Sequence, residues 1–333
     1  MAHEIEIMED GTAAFFSNRE VPWHNLGVLT DSAQTVDDAL RLAMLDWTVY
    51  KSEEPVTTTV ITENGVANVP VPDRFATYRD HPILGLQGLG VVGNQYTVIQ
   101  NREAFDFLNL LADESGAVFE TAGSLRGGTR VFMSMKMPQH ISIADGTDTV
   151  DLYLICTTSH DGTQAFTVYL SAVRPVCANT VQFGLNGAAH KWHMKHTSSI
   201  KGKIQQARDT LGFVVDYADA FQQAVDQLVS LEMTRYEFQG FTESLLPTNK
   251  DMSTLQISRT EEARSEIFGL WNAPTQQNVA NTRWAAFNAV TEWADWFKPV
   301  KAGKRDEDLV RAERVFSGGV EGIKQKAYAL LSR

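Results

Sequence analysis

Through the middle of the chain, apolar and polar residues alternate with the period of a pleated strand; further on they recur with the period of a helix. Arg130 to Met137 sets Val131, Met133, Met135 and Met137 against Phe132, Ser134 and Lys136. Val150 to Thr158 alternates in the same way, with Val150, Leu152, Leu154 and Cys156 on one side. Phe166, Val168, Leu170 and Ala172 follow the same rule. Val118 to Leu125 precedes them, and Arg126-Gly127-Gly128 and Asp161-Gly162 supply turns. Four successive strands with short connections predict an antiparallel meander. Upstream, Val56 to Thr62 is β-branched throughout, and Asn64-Gly65 is a hairpin signal that returns the chain through Val66 to Val71. Trp47 to Tyr50, Phe75 to Arg79 and Tyr96 to Ile99 read as further strands, and Gly85, Gly88, Gly90 and Gly93 as a loop between the last two.

Helical signals frame this sheet. Thr35 is placed to cap a helix whose first turn holds Asp37 and Asp38. Asn101 is expected to cap a second, Arg102 to Asp113, with Phe105, Leu108 and Ala112 on one face. Asn179 to Asn186 reads as the start of another. Ser198 to Met233 predicts a long helix with two heptad rows. One is Ile204, Leu211, Ala218 and Val225; the other is Ala207, Val214, Phe221 and Leu228. Such a seam packs on a helix of the same chain or between subunits. Residues 240–258 read as a polar linker, followed by helices Arg259 to Trp271 and Val279 to Phe297 and a last one from Leu309. Trp284, Phe287, Val290, Trp293, Trp296 and Phe297 are expected to form a core face. The fold class is α+β: an antiparallel meander packed against helices, with a helical C-terminal region. The expected divisions are an N-terminal arm and helix over 1–55, a sheet domain with a basic segment over 56–196, and a helical region over 197–333.

Composition narrows the class. The chain has 333 residues, 43% of them hydrophobic, enough for a sizeable core. No run approaches the ~18 apolar residues of a membrane span. The acidic start, with Glu4, Glu6, Glu9 and Asp10, does not read as a secretory signal. Two cysteines, Cys156 and Cys177, make no disulfide framework, so a reducing cytoplasm is the expected location.

Charge changes the picture more. The net charge is −12, which opposes a nucleic-acid partner at first sight. Yet residues 162–208 contain no Asp or Glu and six cations: Arg174, Lys191, Lys195, Lys201, Lys203 and Arg208. Residues 1–161 hold 23 acidic and 9 basic residues. A carboxylate-free stretch inside a negative molecule attracts phosphate at short range. The alternative is that it neutralises the chain's own acidic N-terminal region.

The basic stretch includes His190-Lys191-Trp192-His193-Met194-Lys195-His196. Its histidine spacing suits a metal poorly on a helix, and no carboxylate lies near to complete a zinc site. Interleaved His, Lys and Trp instead offer donors for phosphate oxygens and a ring for base stacking. Ser159-His160-Asp161-Gly162 places triad residue types side by side, where they cannot meet as a triad, and reads as a hairpin tip at which His160 could touch a ligand. Arg174 near Cys177 would favour a thiolate there, although a buried structural cysteine is the simpler reading. No phosphate-cradling glycine motif or HExxH is present. No catalytic residue, cofactor or metal is assigned.

Several ordered phrases carry a resemblance: Pro22-Trp23-His24-Asn25-Leu26-Gly27, Asn94 to Asn101 (NQYTVIQN), Thr121 to Leu125 (TAGSL), Ser159 to Gly162 (SHDG), Arg174 to Thr180 (RPVCANT) and His196-Thr197. In this order they resemble the phage/plasmid-like family, a domain of unknown function of phages, prophages and plasmids. Lys195 stands where that family tends to have Arg, which keeps the charge but loses the bidentate fork. The resemblance implies a mobile-element context and a bacterial cytoplasm, and supplies no catalytic residue. A helix, a strand meander and a basic segment also resemble, at the level of fold, phage single-strand annealing proteins, which form rings or filaments around single-stranded DNA. The expected function is therefore single-stranded nucleic-acid binding, with strand annealing as its use, by a homo-oligomer such as a ring. Arg174, Lys191, Lys195, Lys201, Lys203 and Arg208 would hold phosphates, while Trp192, His193 and His196 stack on bases or donate to them. The alternative is a self-assembling structural or host-interaction protein.

Overall fold

The computed structural model describes residues 5–18, 27–30, 33–63, 65–143, 148–171, 191–193, 200–303, 307 and 320–333. Two sheets and a set of helices share one continuous core, which runs from Phe16 to Leu331. The larger sheet has the strand order β10-β9-β8-β7-β6-β1-β2. Its strands are β1 (Phe15–Ser17), β2 (Val28–Leu29), β6 (Val118–Leu125), β7 (Arg130–Ile143), β8 (Asp148–Ser159), β9 (Thr167–Ser171) and β10 (Lys191–His193). β6 to β9 form the antiparallel meander that alternation predicts. Met133, Met135, Leu152, Leu154, Cys156, Val168 and Leu170 are buried in the main core. Phe132 is buried too, in a small second cluster with Phe15 and Leu125. β7 is thus covered on both faces.

The smaller sheet is β3 (Thr48–Thr62), β4 (Gly65–His81) and β5 (Gly85–Gly93), all antiparallel. Here several expectations are corrected. Trp47–Tyr50 and Val56–Thr62 fall largely on one long strand, interrupted by register shifts on either side of Pro55. The glycines at 85–93 form a strand rather than a loop, because β4 pairs along their length. Tyr96–Ile99 is not a strand, although it has strand-like composition.

Helix α1 (Val36–Leu42) starts at the capping box formed by Thr35 and Asp38. The next helix is broken at Asp106 into α2 (Asn101–Phe105) and α3 (Phe107–Ser115). Its cap is Gln100, not Asn101, whose side chain is needed elsewhere. The long helix α4 (Ile200–Ser230) packs on β7 and α3, and its heptad rows are buried from Val214 through Leu228. Phe221 meets Trp284 of α7 (Arg283–Glu292) at 6.1 Å. Trp284 stacks on Phe287, and Phe287 meets Tyr328 of the last helix, α8 (Glu321–Leu331). From Val214 through Leu228 the seam is therefore filled within the chain.

Residues 240–258 are not simply a linker. They contain the end of α5 (Arg235–Leu245) and the start of α6 (Thr254–Trp271), each opened by a capping box. The expected helix 279–297 starts only at Arg283, as α7, after a 3-10 turn over Pro274–Val279, and it ends in a π-helical turn over Trp293–Phe297. Trp284, Phe287, Val290 and Trp293 are core as expected, whereas Trp296 and Phe297 are exposed.

Candidate nucleic-acid interface and the buried polar seam

Lys191, Trp192 and His193 form β10, the outer strand of the larger sheet among the described residues. They pair with Tyr169, Val168 and Thr167 of β9. Lys201 and Lys203 lie in the first turn of α4, and Arg208 follows one to two turns later, exposed to solvent. Lys191 and His193 thus stand on a sheet edge, and the helix cations stand on the element that follows. Arg174, Lys195, His196, His190, Cys177 and the expected helix 179–186 lie outside the described residues. Cys156 is fully buried, and burial pushes its thiol pKa up, which makes it a packing residue rather than a nucleophile.

The other phrases singled out in the sequence come together at a different place. His160 is not an exposed hairpin-tip ligand: it is 1% exposed. Asn101 donates through Nδ2 to the Leu45 carbonyl at 2.8 Å, which turns its Oδ1 toward His160 Nε2, also at 2.8 Å. Nε2 must then carry the proton. Burial, with the Arg79 charge adding to it, lowers the His160 pKa to about 4, so the ring is neutral. Trp47 sits edge-on to this ring at 5.4 Å, and the Arg79 guanidinium lies 4.7 Å from the Trp47 ring centroid.

Arg79 is fully buried and forked onto Glu6, with Nη1 donating to Oε2 at 2.9 Å and Nη2 to Oε1; it also donates to Gln87. Ser124 donates to the same Glu6 carboxylate at 2.9 Å. Gly128, at φ +87°, leaves room for the guanidinium, since a Cβ there would collide with it. Thr77 donates to the His160 carbonyl at 2.7 Å, and Tyr96 donates to the Ser159 carbonyl at 3.2 Å. Gln100 bonds both the N–H and the C=O of Val49 at 2.9 Å, in place of a neighbouring strand. A Cβ on Gly90 would lie 2.5 Å from the Cβ of Asp161.

These contacts tie the smaller sheet to the larger one. Three of the phrases, 94–101, 121–125 and 159–162, work as struts of this seam. Sequence reading missed Arg79, Glu6, Trp47 and Gln87. The available signal was a polar stripe of period two, Thr77, Arg79 and His81, on a strand whose inward face had to be buried. Burial also lowers the His81 pKa, again with Arg79 assisting, and its Nδ1 accepts from the backbone N–H groups of Ile83 and Leu84.

Among the described residues no group of three or more His, Cys, Asp or Glu side chains is arranged to hold a metal ion. A surface groove of about 380 Å³ between α5 and α6 is lined by Arg235, Arg264, Glu243 and Glu261. Its cations are engaged structurally: Arg235 lies over Phe268, and Arg264 donates to the Leu246 carbonyl. No helix among the described residues is long and apolar enough to cross a membrane. No curated protein and no solved structure matches the chain. The family described as Domain of unknown function (DUF932) matches residues 88–316, a span that holds the meander, His160 and Asn101 but not Glu6, Trp47 or Arg79. With well over half its length inside that match, the chain belongs to the DUF932 family.

Proposed function

We propose that the protein binds single-stranded nucleic acid in phage or plasmid DNA metabolism, with strand annealing as the use of that binding. The observation that carries the reading is the carboxylate-free stretch 162–208 and its six cations. Its described parts support it further. Lys191 to His193 form the outer strand of the larger sheet among the described residues, and Lys201, Lys203 and Arg208 occupy the first half of the helix that follows. An outer strand offers backbone donors along its free edge, a surface on which a polyanion can lie. The acidic remainder of the chain limits contact to this one stretch.

The test is fluorescence anisotropy of a labelled single-stranded oligonucleotide across a salt series. Six phosphate contacts predict a slope of log K against log salt near −4, from roughly −0.7 per contact on single strands. Replacing Lys191, Lys195, Lys201 and Lys203 by Gln removes four contacts and should flatten the slope to about −1. Binding that ignores salt, or that survives the four substitutions unchanged, removes the proposal.

A further inference from the structure

Among the described residues, none covers the outer part of the β3–β4 hairpin. None of the described residues from Pro55 to Asp73 is buried. β5 pairs with β4 only from Arg74 onward, so between Thr57 and Pro70 the two strands form a ribbon whose edges pair with no other strand among the described residues. One face carries the cross-strand pairs Thr59–Asn68 and Ile61–Val66, the first joined by a side-chain hydrogen bond of 2.9 Å. Ile61 is 86% exposed and Val66 70%. From Pro55 to Pro72 the only charge is Glu63, where the chain's overall 21% would place about four. A two-stranded ribbon alone in water is marginal, and an open β-branched edge of low charge invites another chain.

The outward face of the same sheet carries exposed apolar side chains as well, with Arg74 and Asp80 among them. Tyr50 stacks on Tyr78 at 5.3 Å, and Leu86 and Val91 of β5 are 73% and 53% exposed. Arm and face each present exposed apolar surface of the kind that marks a protein interface. Charge and area point to its occupant. Two chains of net charge −12 repel except across surface of low charge; the arm carries only Glu63, and on the receiving face Asp80 is matched by Arg74. Six ladder pairs, at ~3.4 Å rise and ~4.8 Å spacing, give a footprint of only about 200 Å² on one face of the arm. A stable interface takes ~800 Å² per partner, so a single arm laid on a foreign protein falls short. A two-fold contact doubles that to about 400 Å² per copy, because each copy gives an arm and receives one, which is the size of a weak, concentration-dependent association.

We propose that the arm docks a second copy of this chain: each ribbon lies across the outward face of the other copy's three-stranded sheet, over the Tyr50–Tyr78 stack. The heptad seam of α4 does not compete for this role from Val214 through Leu228, where it is filled within the chain. The proposal does not depend on nucleic-acid binding.

Sedimentation velocity of the full chain over a micromolar concentration series tests it. The protein should sediment as a dimer. The double variant Ile61→Asp/Val66→Asp should weaken dimerisation by roughly 100-fold or more, since each change counts twice across the two-fold axis. Leu86→Lys, on the receiving face, should weaken it as well. The substituted side chains are exposed in the single chain, so far-UV circular dichroism should stay the same. If the double variant fails to fold, replacing Val56–Val71 by an Asn-Gly turn provides the same reading. A wild-type protein that stays monomeric throughout overturns the proposal, even where it captures some other protein. So does a dimer that both the arm variants and Leu86→Lys leave intact.

Discussion

At the scale of single residues, the strongest constraint is the buried Arg79–Glu6 pair. A charge pair this deep is held by geometry: a bidentate fork, Gln87 on the guanidinium, Ser124 on the carboxylate and the Trp47 ring alongside. Removing one partner leaves the other charge buried, so Arg79→Met should cost about 3–5 kcal/mol in urea unfolding. Adding Glu6→Gln to that variant should recover part of the loss, because no lone carboxylate then remains. His160 gives the seam a pH signature. Its folded pKa is about 4 against 6.5 for a free histidine, so the unfolded chain binds the proton first as pH falls. Above about pH 6.5 the group contributes nothing to pH dependence. From there down to about pH 4 stability should decline, by on the order of 3 kcal/mol from this residue. His160→Gln can still donate toward Asn101 but does not titrate. Unfolding curves between pH 7 and 4.5 should therefore be flatter for that variant than for wild type, with the slope from His81 remaining. Equal slopes for the two proteins would mean that the His160 ring takes up its proton as readily in the folded chain as in the unfolded one.

At the scale of elements, α4 is the member that joins the sheet to the C-terminal helices. Phe221 sits in its seam between Tyr217 and Trp284 and is almost fully buried. Phe221→Ala should cost about 3–5 kcal/mol by cavity formation. It should leave the sedimentation behaviour of the folded protein unchanged, since the seam faces inward. The meander and this helix were legible in the sequence because each has one buried face, which imposes period two or a heptad on the residues. The arm lacks a buried face, so its length did not show as alternation, and the register shifts around Pro55 divided it into two apparent strands. The strand at 85–93 was hidden because glycines carry no strand preference; Gly90 is there because Asp161 approaches too closely for a Cβ. Tyr96 to Gln100 misled in the opposite direction. Its strand-like residues brace other elements, with Tyr96 on Ser159 and Gln100 on Val49, and join no ladder. Helix α5 was legible and overlooked: Thr234 and Glu237 form a capping box that the sequence displays. For the candidate site, the basic stretch is plain in the charge distribution. The seam is not, because its members are up to 154 positions apart in sequence, from Glu6 to His160, and only the fold brings them together.

At the scale of the whole molecule, the chain combines a large negative charge with two local departures from it: a basic stretch and an uncharged arm. Salt must act on these two in opposite directions. Contact between the basic stretch and a polyanion is driven by counterion release, and it weakens as salt rises. Contact between two arms and two sheet faces is apolar, while the bodies behind them, at −12 each, repel. Salt screens that repulsion: the Debye length falls from about 10 Å at 0.1 M to about 3 Å at 1 M. Self-association through the arm should therefore strengthen, or at least hold, between 0.05 and 0.5 M salt as order-of-magnitude limits, while oligonucleotide affinity falls by several decades over the same range. Sedimentation velocity and anisotropy on one preparation, at matched salt, measure both. If dimerisation and oligonucleotide binding weaken together with salt, both contacts run through charged groups, and the uncharged arm is not the surface that joins the copies. If they diverge, the two surfaces are separate, and the neutral hairpin is what lets so acidic a chain associate with itself.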